Sequence, residues 1–159
     1  MNDTVEKILL AALGFLVGTA TTLIVDVVRA RTRRLALLAL MTSEAHAFAD
    51  ACRSSEKHKN WTSSDARRLA ELLRERYSKD PERWTAPKSP QAQKGVAMLY
   101  LESAALLDLI ALHETQEREK RESRAIGPGT YEGIARRTDE LVSLLERDRA
   151  LKWKFGHGG

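Results

Sequence analysis

The sequence predicts an all-α fold, in which an N-terminal single transmembrane helix continues into a cytosolic antiparallel bundle of about four helices. Three observations carry this expectation. Residues 8–28, ILLAALGFLVGTATTLIVDVV, are 21 residues with one charge, Asp26. Downstream, apolar residues recur at spacings of three and four, the period of a helix with one buried face. Three of the four prolines lie between Lys79 and Pro90 and the fourth lies in Gly127-Pro128-Gly129, so the breakers divide the chain into a few long segments.

As a helix, residues 8–28 cover ~31 Å, about the thickness of one hydrocarbon core. The run is too long for the apolar part of a signal peptide, and RARTRR follows it instead of a small-residue cleavage site, so the segment is expected to stay as an anchor. Arg29, Arg31, Arg33 and Arg34 crowd one flank, whereas the other offers Lys7 against Asp3 and Glu6. This bias places the N-terminus outside and the remainder in the cytosol of a bacterial inner membrane. The abundance of Arg, Ala and Leu over Lys suits a GC-rich bacterial genome. Residues 1–7 then form a short extracytoplasmic N-terminus, 8–28 the span, 29–155 the bundle and 156–159 a frayed tail.

Within the span, Gly14, Gly18, Thr22 and Asp26 repeat every four residues. Small residues on one stripe let helix backbones approach, so this stripe is the candidate surface for span association and a homo-oligomer. Asp26 lies near the interface, where Arg29 one turn on can pair with it.

No glycine or proline occurs between Thr19 and Asn60, so the first helix is expected to leave the bilayer and reach about Ser54. Leu37, Met41, Ala45, Phe48 and Cys52 share its inner face, and the polar segment 53–60 forms a turn. Thr62 and Asp65 resemble a capping box for a second helix that ends near Ser78, with Ala66, Leu69, Ala70, Leu72, Leu73 and Tyr77 inward. Its arginines, Arg67, Arg68, Arg74 and Arg76, read as a solvated face, with a small anionic ligand as the sharper alternative. Lys79–Pro90 is expected to be irregular, with Trp84 pinning it to the bundle.

Residues 91–124 form the longest cytosolic helix. Its apolar half, GVAMLYLESAALLDLIALH, invites the reading of a second span, but Glu102 and Asp108 within it and the lack of a strongly asymmetric basic flank favour a central bundle helix whose buried acids meet arginines from neighbouring helices. After the 127–129 break, Thr130 caps a last helix with Tyr131, Ile134, Thr138, Leu141, Leu145, Asp148 and Phe155 near heptad positions. If the helices alternate in direction, Lys152, Trp153, Lys154 and Phe155 return to touch the membrane surface.

The residues after position 28 carry 25 basic and 19 acidic side chains, well mixed, which fits an anionic bilayer surface and argues against nucleic acid. Cys52 is the only cysteine, so no intramolecular disulfide forms and a reducing cytosol is the simplest home. No Glu-x-x-His pair, nucleophile elbow or phosphate loop occurs, and His46, His58, His113 and His157 read as surface or tail residues, so no catalytic residue, metal or cofactor is expected. The function expected is therefore non-enzymatic: an anchoring, interaction or self-assembly module whose partners are the bilayer, its own copies and another protein. The alternative is a ligand-controlled membrane effector, in which the bundle senses a small anion and the assembled spans perturb the membrane.

Overall fold

A computed structural model describes residues 2–59, 64–119 and 126–150, with side chains from residue 10 onward except that of Ser64. The described residues form five helices and no strand: α1 (Asn2–His58), α2 (Ser64–Lys79), α3 (Glu82–Thr85), α4 (Pro90–Arg118) and α5 (Thr130–Ala150). They divide into two units, residues 1–36 and 37–159.

The first unit is the apolar part of α1. From Leu10 to Val28 its large hydrophobic side chains are 39–74% exposed. The helix runs through Arg29–Arg34 without a break.

The second unit is built around one apolar core. The inner face of α1 contributes Leu38, Met41, Ala45, Phe48, Ala49 and Cys52, all fully buried. Leu37, expected on this face, is only partly buried, and Leu38 takes the deeper position. From α2 come Ala66, Ala70, Leu73 and Tyr77, in the expected 3.6-residue rhythm. α4 packs against α2, α3 and α5, burying Ala92, Val96, Leu99, Ser103, Leu106 and Ile110. α5 buries Tyr131, Ile134, Thr138, Leu141, Leu145 and Asp148, six of the seven heptad positions expected; the seventh, Phe155, lies outside the described residues.

Three boundaries differ from expectation, each for a local reason. α1 does not end near Ser54 but continues to His58, and Lys59 after it is a non-glycine residue in the left-handed region (φ 50°). The polar last turns are held from outside: Arg53 pairs with Asp139 on α5, and the Glu56 carboxylate accepts the Gly129 N–H at 2.7 Å. Within Lys79–Pro90 the prolines bracket a short helix, α3, rather than preventing one. Pro81 stands just before it with a compatible φ of −65°, and the Asp80 carboxylate accepts the Glu82 N–H at 3.1 Å. Pro90 opens α4 at its first turn, where its missing N–H costs nothing, and the Ser89 hydroxyl accepts the Ala92 N–H at 3.1 Å. α4 ends at Arg118 rather than 124, with Glu119 as its C-cap; residues 120–125 lie outside the described set, as does the Thr62 half of the expected capping box.

Candidate functional site

The span stripe has an open surface. A Cβ added at Gly14 or Gly18 would meet no atom within 4 Å, so neither glycine is demanded by packing inside the chain. The Thr22 hydroxyl donates to the Gly18 carbonyl one turn back at 2.9 Å, and Thr19 and Thr21 do the same to Phe15 and Val17. These hydroxyls are therefore satisfied within their own helix, and the stripe offers a neighbour close approach rather than unmet hydrogen bonds. Among the described residues no ion pair joins Asp26 and Arg29, and both are exposed. Arg29, Arg31 and Arg33 are exposed and Arg34 is half-buried. Lys152, Trp153, Lys154 and Phe155 lie outside the described residues.

In the second unit, charge gathers around Glu44, which sits between Met41 and Ala45 on the buried face of α1. Its side chain is 9% exposed and receives the Arg83 guanidinium at 2.5 and 3.3 Å and that of Arg76 from the other side. Arg83 is itself 5% exposed, lies 5.3 Å above the Tyr77 ring and has Asp80 3.5 Å from its Nε. Trp84 follows directly: its ring meets Tyr77 and Tyr100 edge to face at 5.7 and 5.4 Å, and its N–H donates to the Tyr77 carbonyl at 2.8 Å. Trp84 thus pins the α3 segment as expected, and Arg83 ties the same segment to α1.

This arrangement engages the α2 arginines considered for an anion. Arg76 is committed to Glu44, and Arg67 bridges Glu71 and Glu114 at 3.1 and 2.7 Å. Arg68 and Arg74 remain on the exposed face of α2.

A second buried carboxylate, Asp148 on α5, accepts the backbone N–H groups of Lys88 and Ser89 at 3.0 and 2.9 Å and so holds the entrance to α4. Of the two acids expected to be buried on α4, Glu102 is 12% exposed and pairs with Arg137 of α5, whereas Asp108 is exposed on the outer face. The apolar run around Asp108 is only partly covered, which is why its charge finds water. His113 also departs from expectation: it is 6% exposed on the inner face of α4, with Glu117 at 3.4 Å.

α4 and α5 approach closely at Gly95, where a Cβ would stand 2.7 Å from Leu141 Cδ1. Beside this contact runs a groove of about 300 Å³ lined by Lys94, Met98, Glu102, Arg137, Leu141 and Leu144. Cys52 is fully buried, and desolvation, aided by the charge of Glu102 and opposed by Arg53, pushes its thiol up to about 12. Such a thiol is a packing group rather than a nucleophile.

Three residues here had only weak sequence signals. Glu44 and Asp148 interrupt apolar stripes at core positions, and Gly95 stands inside a helix without ending it. A polar or glycine residue that breaks a periodic face is the trace each leaves. Comparison with protein-family models, with curated proteins and with solved structures finds no match to this chain.

Proposed function

We propose that the chain is a non-enzymatic, single-pass membrane protein of the bacterial inner membrane, with its N-terminus outside and residues 29–155 in the cytosol as an interaction and self-assembly module. In this reading the second unit is an antiparallel helical bundle and α1 joins it to the span. The observation that carries the reading is the uncovered apolar surface of α1 from Leu10 to Val28. Leaving those side chains in water costs on the order of 10 kcal/mol, a burden that a bilayer removes. The four arginines that follow, Arg29, Arg31, Arg33 and Arg34, orient the segment.

Self-assembly has two supports: the open Gly14, Gly18, Thr22 stripe, and an apolar outer face on α4. The ligand-controlled effector keeps the first of these but draws little from α2, whose Arg67 and Arg76 are neutralised by acids. Alkaline extraction of membranes from cells expressing the full chain tests the anchor, with reporters at the two termini testing orientation. The protein is expected in the membrane pellet, with a C-terminal green fluorescent reporter bright and a C-terminal alkaline phosphatase inactive. Release into the alkaline supernatant overturns the anchor.

A further inference from the structure

α4 has two apolar faces, and among the described residues only one is covered. The covered face carries Val96, Leu99, Leu106 and Ile110. On the opposite side Met98, Leu101 and Leu112 are 43, 57 and 48% exposed, and Ala105 is exposed between them. These residues are spaced 3, 4 and 7 apart, and with Asp108 and Thr115 they fill alternate three- and four-residue steps of a heptad seam. Lys94 begins the seam and Glu119, at the C-cap, ends it. Such a stripe on a solvent-facing helix calls for a cover, and the charges along it indicate which.

We propose that the outer face of α4 is a homodimer interface in which α4 packs antiparallel against α4 of a second copy. The inference deepens the self-assembly reading and rests on it. In the register that places heptad seam positions opposite one another, Leu101 faces Leu112 of the copy, Met98 faces Thr115, and Ala105 leaves room for Asp108. Each relation occurs twice about the two-fold axis. The same register sets Lys94 across from Glu119 at both ends of the seam, an opposite-charge pair in each place. A parallel pairing would instead stack Lys94 on Lys94, Asp108 on Asp108 and Glu119 on Glu119, three like-charge layers along one seam. A lipid surface fits less well, since Asp108 lies in the middle of the stripe and would be desolvated without a partner. Asp108 beside Ala105 acts as a polar register mark, which fixes alignment at some cost in stability.

Cysteine crosslinking of the full chain in native membranes tests the pairing. Wild type supplies the blank, because Cys52 is buried. Under mild oxidation, a mixture of Leu101→Cys and Leu112→Cys chains carrying different tags should give a disulfide-linked heterodimer, while each variant alone should give none. The reason is that two copies of Leu101 lie about 16 Å apart along the helix axis in this register. Exchange of charge, Lys94→Glu, should weaken the crosslink severalfold, and Lys94→Glu with Glu119→Lys should restore it, a rescue that misfolding would not produce. Self-crosslinking of Leu101→Cys alone would establish a parallel pairing and overturn the proposal. Absence of every crosslink would also overturn it, leaving lipid or another protein as the cover. Alkaline extraction of the same membranes reports separately on the anchor, so loss of the interface and loss of the membrane reading are distinct results.

Discussion

Replacing Glu44 by glutamine isolates the contribution of the buried charge cluster that joins α1 to α2 and α3. Glutamine keeps the shape and one acceptor but removes the charge that offsets Arg83 and Arg76. Because Glu44 is 9% and Arg83 5% exposed, Arg83 would be left as a buried cation with only Asp80, at 3.5 Å, beside it. Losing one partner of a buried pair costs about 3–5 kcal/mol, and the retained acceptor places Glu44→Gln near the lower end, about 3 kcal/mol. Arg76 adds little, since its side chain is 39% exposed and solvent already screens it. For a folded unit of this size, 3 kcal/mol corresponds to a fall in Tm of roughly 10 °C. Thermal unfolding of the full chain in detergent, followed by helical circular dichroism, measures the shift, with tryptophan emission, to which Trp84 against Tyr77 and Tyr100 contributes, as a second signal. The partner experiment is Glu44→Leu with Arg83→Met, which removes both charges and should recover most of the loss, because no buried ion is left unmatched. A Glu44→Gln protein within 1 kcal/mol of wild type, or a double variant no better than the single one, would refute this account of the cluster.

Asp148→Ala removes the charged acceptor of two part-buried backbone N–H groups at the start of α4, and a loss of about 2 kcal/mol is expected in the same unfolding assay. Stability should fall on the alkaline side: Cys52 is pushed from 9.0 up to about 12, and Tyr77 and Tyr131 from 10.0 up to about 12, in each case chiefly by burial. The folded state holds these protons more tightly than the unfolded chain does. The stabilisation is therefore full below pH 9 and is lost as pH rises toward 12, with Cys52 alone losing on the order of 1 kcal/mol by pH 10; a Cys52→Ala chain should show a shallower slope, and an unchanged slope would contradict the assignment. Gly14→Ile with Gly18→Ile should leave extraction behaviour and helix content unchanged, since both positions are open, yet reduce crosslinking between spans in membranes; equal crosslinking would remove the stripe as an association surface. Replacing Arg29, Arg31, Arg33 and Arg34 with glutamate should lower the fraction of chains with a cytosolic C-terminus, read by the paired reporters.

The all-helical fold was legible because its signals are summed over many residues. The stripe Met41, Ala45, Phe48, Cys52 on α1 and the stripe Tyr131 to Asp148 on α5 both lie buried where their spacing put them. The ends of helices were less legible, because single side chains from distant segments decide them. α1 passes Ser54 because Glu56 reaches Gly129 and Arg53 reaches Asp139, contacts separated by 73 and 86 residues in sequence. No local propensity encodes such a tie. The Glu44 cluster was hidden for a related reason. An acid within an apolar stripe is visible, but that its partners are Arg76 and Arg83, and not the nearer Arg53, depends on how α2 and α3 fold back.

α4 shows what periodicity leaves undecided when both faces of a helix are apolar. Its composition alone suits a central helix, a membrane span or an interface helix, and hydropathy cannot separate these because it averages around the circumference. Direction-resolved burial does separate them. One side of α4 is closed by α2 and α5, with Gly95 set against Leu141, which ties it into the second unit. The other side exposes Met98, Leu101 and Leu112 around Asp108. A span would place that acid in hydrocarbon, and a helix buried in a monomer would not leave three large apolar side chains about half exposed. A helix meant to meet another copy accounts for both, since the pairing covers the leucines and gives Asp108 a small neighbour. Substituting Asp108→Leu therefore should strengthen the α4 crosslink while loosening its register, so that Leu101→Cys alone begins to self-link. If Asp108→Leu instead abolished the crosslink, the carboxylate would be an attractive contact in its own right and its role as a register mark would fail.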